Sequence, residues 1–372
     1  MLPTWVLHGS TPLRNSRIGD YMKYSIPYTP GLLDLLLENK EIVGDQISDI
    51  YFSDNKFATN RYFKWDDRYW DELNDISEEF NCKLHYIVNP SVYDNEFYLD
   101  EGVGKFIDML TEAWEQGARW LTFNNSIALR NGEIRTKIPA YVIKNSVNNK
   151  INSLEQAVFW HKEMFINDLI IDRSLNRDLD ELSVISQYAK ENGLSITLLA
   201  NEGCLPNCTW KQHCDNMISQ YHKADINQAN SVQKIHNVLA CTAHYERNPA
   251  DTLKSPFIMP NNVEAYEPYA DCIKIAGRMT DLPVLWTILE SYFLRTGNIN
   301  LYKFFSTKID EVWSSVTFND LLELNFDQKT STCKNKCASC NFCERVLDQL
   351  MHEKNGVKTD YAIQRKIFKP RT

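Results

Sequence analysis

Short apolar runs alternate with amphipathic segments along most of this chain of 372 residues. The runs are rich in Ile, Leu, Val and aromatic side chains, a composition typical of β-strands that are buried on both faces. We predict strands at Trp5–Leu7, Ile47–Phe52, Lys83–Val88, Arg119–Phe123, Ala140–Lys144, Asp168–Asp172, Leu194–Ala200 and Cys272–Ile275. Counting the run near the start, the pattern predicts eight strands.

The segments between these strands carry apolar residues at spacings of three and four, which places them on one face of a helix. Phe106, Met109, Leu110 and Trp114 form one such set. Strands that alternate with amphipathic helices form a parallel sheet covered by helices, and eight such units close a barrel. We therefore predict an α/β fold: a TIM-type (β/α)8 barrel over residues 1–280, followed by a helical, cysteine-rich C-terminal extension over residues 281–372.

Polar residues recur directly after the predicted strands. They are Asp54, Asn89, Asn124, Asn125, Asn145, Arg173 and Asn201. The carboxyl ends of barrel strands converge on one face, where the loops build the active site, so these side chains predict a polar ring at that face. For each residue taken alone, a turn or a helix N-cap is an alternative.

The overall charge argues against a nucleic-acid partner. The formal net charge is −9 and the isoelectric point is near 5.5, whereas binding to phosphates needs a basic surface. No apolar run approaches the roughly 20 residues of a membrane-spanning helix, and the start of the chain lacks a signal-peptide core. We expect a cytoplasmic protein with no membrane partner.

Four cysteines lie in the segment that follows the predicted strand at Leu194–Ala200. They are Cys204, Cys208, Cys214 and Cys241. A cytosolic protein makes little use of disulfides, so thiols gathered in a loop indicate a metal or an iron-sulfur cluster. The spacing differs from that of a zinc ribbon, and His213 could replace one thiol. Structural zinc and unrelated buried cysteines remain alternatives, whereas Cys82 and Cys272 are expected in the core.

A second cysteine group lies near the C-terminus and holds all four of its thiols within eleven residues. It consists of Cys333, Cys337, Cys340 and Cys343. The first three reproduce the CxxxCxxC spacing of radical S-adenosylmethionine enzymes, but that motif normally follows the first barrel strand, and a fourth thiol would close the site. The group predicts an accessory 4Fe-4S cluster, with four-cysteine zinc as the alternative.

Several blocks of sequence occur in an order that resembles a known family. The blocks are Ser153–Ala157, Ile170–Leu179, the Asn-Glu-Gly-Cys-Leu-Pro-Asn-Cys run Asn201–Cys208, Lys254–Ile258, and the Lys-Ile-Ala-Gly-Arg run Lys274–Arg278. Together they resemble the collagenase-like peptidase U32 family. The resemblance is good over residues 140–280 and extends to the N-terminal third in outline.

The resemblance implies a barrel-type fold and, despite the family name, a 4Fe-4S cluster held by four cysteines. Cys204 and Cys208 match the family block, and Cys214 and Cys241 are the next candidates because they lie near it. Better understood members of the family resemble oxygen-independent hydroxylases that act on RNA bases or on a quinone precursor, some with prephenate as the oxygen source. The acidic charge of this chain disfavours RNA as its substrate.

These residues predict an iron-sulfur redox enzyme that modifies a small molecule or a peptide, with an electron donor or a related subunit as a partner. We predict catalytic roles for Arg173, Asn201, Glu202 and Arg278. Arginine binds carboxylates bidentately, so Arg173, Arg177 and Arg278 are candidates for binding an anionic, prephenate-like cosubstrate. Their alternative is a salt bridge to Asp172, Asp178 or Glu202.

Two other functions remain as alternatives. The chain could be a non-catalytic partner or scaffold subunit of a related barrel enzyme, with structural clusters or zinc. A peptidase is less favoured, because the sequence contains neither an HExxH motif nor a GxSxG nucleophile elbow.

Overall fold

The computed structural model describes residues 22–54, 56, 65–93, 95–220, 241–278, 280–305 and 311–355. Within them, eight parallel strands close a barrel in chain order. The strands are β1 Lys23–Pro27, β2 Ile47–Phe52, β3 Lys83–Val88, β4 Trp120–Phe123, β5 Val142–Lys144, β6 Asp168–Ile170, β7 Ser195–Leu199 and β8 Cys272–Lys274. The barrel closes because β1 pairs with β8 as well as with β2. The predicted (β/α)8 fold is confirmed.

The first strand differs from its prediction. The run Trp5–Leu7 lies outside the described residues, and the first strand of the barrel is Lys23–Pro27. This strand begins with a lysine, ends with a proline and carries a serine at its centre, so it lacks the continuous apolar run of its neighbours. Ser25 nevertheless fits the barrel, because its hydroxyl donates to Asp49 Oδ1 at 2.7 Å.

The α-helices of the described residues cover the barrel and extend beyond it. They are Leu32–Glu38, Lys40–Val43, Tyr69–Glu79, Asp100–Glu115, Ser126–Leu129, Gly132–Lys137, Leu154–Met164, Leu179–Glu191, Lys211–Gln220, Ala243–Arg247, Asp251–Lys254, Leu282–Phe293, Leu301–Phe304, Phe318–Glu323, Phe326–Thr330 and Phe342–Asn355. Short 3-10 helices occupy Asn95–Tyr98, Val147–Asn149, Arg173–Arg177, Pro260–Tyr266, Glu311–Ser315 and Cys337–Ser339. None of the described helices combines the length and the apolar character that a membrane span requires.

Local signals in the sequence account for several helix starts. Ser153 Oγ accepts a hydrogen bond from the Gln156 N–H, and Asp178 caps Leu179–Glu191 by accepting from the Glu181 N–H. Such caps satisfy N–H groups that have no partner within the helix. Asn125 caps Ser126–Leu129 in the same way, so for this residue of the predicted polar ring the N-cap alternative holds.

The segments after β8 pack directly on the barrel. Tyr24 in β1 donates its hydroxyl hydrogen to the Tyr292 carbonyl at 2.9 Å, which holds the helix Leu282–Phe293 against the first strand. Further along, Phe257 stacks on Phe326 with ring centroids 5.9 Å apart. The same aromatic cluster includes Phe304. These contacts place the C-terminal cysteine segment beside the carboxyl end of the barrel.

Candidate active site at the carboxyl end of the barrel

The ends of β7 and β8 are joined by the side chain of Asn201. Its Nδ2 donates to the Ala276 carbonyl at 3.0 Å, and its Oδ1 accepts from the Ala276 N–H at 2.6 Å. The residue is fully buried. With both ends of its amide bonded to backbone, Asn201 fixes the position from which the cysteine loop departs.

The four cysteines predicted as ligands of the central site come together in the structure. Burial and then the neighbouring thiols of Cys214 and Cys208 raise the pKa of Cys241 to about 11. Burial raises the pKa of Tyr245 well above its usual value, and the thiols of Cys204, Cys241 and Cys208 act in the same direction. The Tyr245 hydroxyl also donates to the Gly203 carbonyl. Tyr245 therefore lies near three of the four thiols.

The donor set consists of four thiols, which is the ligand chemistry that an iron-sulfur cluster takes. None of the four thiols is in a disulfide, and all are partly exposed. Within the described parts of the chain, no three His, Cys, Asp or Glu side chains are placed to hold one metal ion. The irons of a 4Fe-4S cluster lie at separate corners, so its four thiolates stand farther apart than those around one zinc. His213, the alternative ligand, is exposed on the helix Lys211–Gln220.

The second cysteine group docks on the loop that follows β6. The Lys334 N–H donates to the Arg177 carbonyl at 2.9 Å, and Asn335 Nδ2 donates to the Ser174 carbonyl at 2.9 Å. Burial raises the pKa of Cys343 to about 12, with Arg177 acting in the opposite direction. The Phe342 N–H points at Cys340 Sγ, 3.4 Å away, a contact of the kind that stabilises a thiolate ligand.

The central cysteine loop and the C-terminal cysteine group line one cavity of about 780 Å³. Leu205 and Pro206 line it from the central loop, and Cys337 and Cys340 line it from the C-terminal group. The two groups are distant in the sequence, so this proximity comes from the docked C-terminal segment.

Charged residues between the groups pair with one another. Lys254 lies 2.6 Å from Asp251 and 2.8 Å from Glu344, and His244 Nε2 lies 2.7 Å from Asp251 Oδ2. All four of these side chains line the cavity.

The three predicted arginines make different contacts. Arg173 forms an ion pair with Glu202, so the salt-bridge alternative holds for both, and the pair ties the loop after β6 to the loop that carries Cys204. Arg177 is buried and donates to the Ser255 carbonyl at 2.7 Å, so its partner is a backbone carbonyl rather than the carboxylate expected. Arg278 lies half-buried with its guanidinium carbon 5.9 Å from the centre of the Tyr51 ring.

Gly277 shapes the turn that precedes Arg278. Its φ is +153°, and a Cβ there would lie 3.1 Å from Leu285 Cδ1. A side chain at this position would be both strained and crowded. The glycine of the Lys-Ile-Ala-Gly-Arg block is therefore required by the backbone that leads to Arg278.

A polar network fills the barrel interior, and sequence reasoning missed it. Asp49 accepts from His85 Nδ1 at 2.7 Å, and His85 Nε2 lies 2.7 Å from Thr122 Oγ1. Lys144 pairs with Asp168 at 2.9 Å. Burial lowers the pKa of His85 to about 4 despite the nearby Asp49. The sequence did contain a signal for this network, because its members are polar residues within otherwise apolar strands.

Lys274 lies in the same barrel and was not predicted as a site residue. It is the last residue of β8, and its Nζ lies 3.8 Å from the centre of the Tyr51 ring. Burial, and then the positive charges of Arg278 and Lys144, lower the pKa of Lys274 to about 7 although Asp49 opposes the shift. Its neighbour in the strand, Cys272, is buried, as is Cys82, in agreement with the core positions predicted for both.

Comparison with known proteins gives one relative in sequence and several in structure. No known family profile matches the chain. An uncharacterized protease of Methanocaldococcus jannaschii is 23% identical over 205 residues, which are 55% of this chain and 59% of that protein. The match thus covers less than two thirds of the relative's length.

Two solved structures illustrate the structural matches. A U32 peptidase superposes with a TM-score of 0.48 at 12% identity, covering 71% of this chain and 96% of its own. A muconate lactonizing enzyme from Pseudomonas putida superposes with a TM-score of 0.31 at 12% identity, covering 50% of this chain and 48% of its own.

Proposed function

We propose, from the premise that this chain is a U32-peptidase-like protein, that it is an iron-sulfur redox enzyme rather than a peptidase. The observation that carries the proposal is the proximity of the four thiols after β7: Cys241 lies near Cys208 and Cys214, and Tyr245 lies near Cys204, Cys208 and Cys241. Enzymes of this fold place their chemistry at that end. Four soft thiolates there are the ligand set of a 4Fe-4S cluster.

The cluster would supply electron transfer when bound, and Lewis-acid chemistry if one iron were left open. Residues of the chain hold the loop in place around it. Asn201 fixes the start of the loop, and the Arg173–Glu202 ion pair ties it to β6. We assign these three residues positioning roles.

The second cysteine group supports an electron-transfer role for the C-terminal segment. It faces the same cavity as the central loop, and Cys340 is exposed. We propose that this group holds an accessory 4Fe-4S cluster that receives electrons from an external donor. Arg177 lies beneath it, and its positive charge favours the thiolate form of Cys343.

The proposed reaction is an oxygen-independent hydroxylation, or a related modification, of a small molecule or a peptide. Arg278 at the barrel mouth is the candidate for binding an anionic cosubstrate of the prephenate type. Two alternatives are a scaffold subunit with structural metal sites and a peptidase, the activity named for the relative from Methanocaldococcus jannaschii.

Anaerobic purification tests the cluster directly. We expect a brown protein with broad visible absorbance that bleaches on reduction, and with iron and acid-labile sulfide in similar amounts. Iron, sulfide and zinc should be measured on the same sample. A colourless protein with stoichiometric zinc would refute the proposal and favour a scaffold subunit with structural metal sites. Cleavage of peptides that is inhibited by thiol alkylation, without iron in the protein, would favour the peptidase.

Replacement of the four C-terminal cysteines by serine tests the second group. Because a compact thiolate set binds metal as a local unit, the quadruple variant of Cys333, Cys337, Cys340 and Cys343 should lose about half of the iron and keep the spectrum of the central cluster. Loss of zinc with unchanged iron would show that the group binds zinc. Loss of both sites together would mean that the groups share ligands.

A further inference from the structure

The barrel mouth holds a lysine whose surroundings differ from those of the other lysine in the barrel interior. Lys144 is paired with Asp168 at 2.9 Å and lies 3.9 Å from Asp49. Among the described residues, no carboxylate lies within ion-pair distance of Lys274, whose amine is placed against the ring of Tyr51. The Tyr51 ring is itself fixed, because its hydroxyl donates to the Ile275 carbonyl at 2.6 Å.

The location of this amine suits a reacting group. Lys274 ends β8 at the carboxyl side of the barrel, where catalytic residues of this fold are found. The residue is partly exposed. Arg278 lies against the same Tyr51 ring, 5.9 Å from its centre, compared with 3.8 Å for Lys274 Nζ.

We propose that Lys274 forms a Schiff base with a small 2-oxo acid bound at the barrel mouth, and that Arg278 binds the carboxylate of that acid. An amine and a guanidinium beside the same ring match the two functional groups of a 2-oxo acid, the carbonyl and the carboxylate. The proposal deepens the anion-binding part of the proposed function, and its chemistry does not involve the cysteine sites.

The reaction needs no added oxidant or reductant. The lone pair of Lys274 Nζ attacks the carbonyl carbon, and the nitrogen loses a proton as the carbonyl oxygen gains one, which gives a carbinolamine. Loss of the hydroxyl group as water then forms the C=N bond. The amine must be uncharged to attack, and lysine amines that are desolvated or near another cation meet that condition near neutral pH.

The charged groups around Lys274 set its protonation. Asp49 of β2 favours the charged form, whereas burial, Arg278 and Lys144 of β5 favour the neutral amine, and the resulting pKa is about 7. Exposed lysines keep a pKa near 10.4 and stay almost fully charged at neutral pH. Imine formation at Lys274 should therefore increase as the pH rises through about 7, in a range where surface lysines react little.

Reductive trapping tests the proposal. The anaerobically purified full-length protein is incubated with pyruvate and sodium cyanoborohydride at pH 7.5, and adducts are located by peptide mass spectrometry. We expect one carboxyethyl adduct per chain at Lys274 and at least tenfold less label at any other lysine. Label spread over surface lysines, or equal total label in Lys274→Arg, would overturn the proposal.

Two comparisons keep the test independent of folding and of the iron-sulfur proposal. Lys274→Arg keeps a positive charge but forms no imine, and its circular dichroism and iron content show whether it folds. For Arg278→Gln, we expect labelling by pyruvate to fall about tenfold or more and labelling by acetone, which has no carboxylate, to change little. Equal losses of labelling by pyruvate and by acetone would show that Arg278 does not bind the carboxylate.

The imine and the cluster are tested separately. An adduct on a colourless protein would support the imine and refute the cluster. A brown protein without an adduct would support the cluster and refute the imine.

Discussion

Lys144→Ala should lower the free energy of unfolding by about 3–5 kcal/mol, because it leaves buried carboxylates without their positive partner. Lys144 is 1% exposed and lies between Asp168 and Asp49 inside the barrel. Its amine also lies 3.9 Å from the centre of the Trp120 ring. The measurement is the free energy of unfolding from urea titration at pH 7, with circular dichroism as the signal.

Lys137→Ala is the matched control for that variant. Lys137 pairs with Glu133 on the surface of the helix Gly132–Lys137, and both side chains are largely exposed. Its loss should cost less than about 0.5 kcal/mol. If the two variants unfolded at the same urea concentration, the barrel network would contribute nothing particular to stability. A Lys144→Ala, Asp168→Asn double variant should recover part of the loss, because it removes one of the unpaired charges.

The same network predicts a change in pH dependence. Burial opposes the ionisation of Asp49, but Lys144 and His85 hold its pKa below the usual value. A lowered carboxyl pKa gives stability that is present above the unfolded pKa of about 3.9 and is lost as the pH falls through the folded value. Without Lys144 the carboxyl loses much of this effect, so the difference in stability between wild type and Lys144→Ala should shrink as the pH falls below about 4.

The fold could be predicted because the strands of a parallel barrel are buried on both faces. Seven predicted runs, from Ile47–Phe52 to Cys272–Ile275, contain seven of the strands in the structure. The strand Lys23–Pro27 was missed because its side chains alternate, with Tyr24 and Ile26 fully buried and Ser25 hydrogen-bonded to Asp49. An apolar run is a weak guide where a strand contributes a polar residue to the barrel interior.

The candidate site could be predicted only in part, because its remaining features depend on contacts between distant segments. The grouping of Cys204 with Cys208 is local, and the sequence shows it. Pro206 and Cys337 line the same cavity only because the C-terminal segment docks near Arg177. No local sequence pattern predicts this docking. For Arg173 the sequence offered both an anion site and an ion pair, and it could not choose between them, since the partner of Arg173 depends on which loop folds beside it.

Cys208→Ala should remove the iron of the central site and all activity. The thiol of Cys208 lies near both Cys241 and Tyr245, and a cluster that loses one of its four thiolate ligands is not expected to be retained during purification. Iron per chain, acid-labile sulfide and the visible spectrum are measured after anaerobic purification. Because the C-terminal group lies on a separate segment, its share of the iron should remain. Cys204→Ala is expected to behave in the same way.

Cys82→Ala is the control, because it removes a thiol that has no part in the proposed sites. Cys82 is 3% exposed, and its Sγ lies 3.8 Å from the Ile76 carbonyl, so the variant should keep all of its iron and lose only modest stability. If Cys82→Ala lost iron, the assignment of Cys82 to the core would be wrong. If Cys208→Ala kept the full iron content and spectrum, the four thiols after β7 would not be the cluster ligands, and any iron in the protein would have to be bound by Cys333–Cys343 alone.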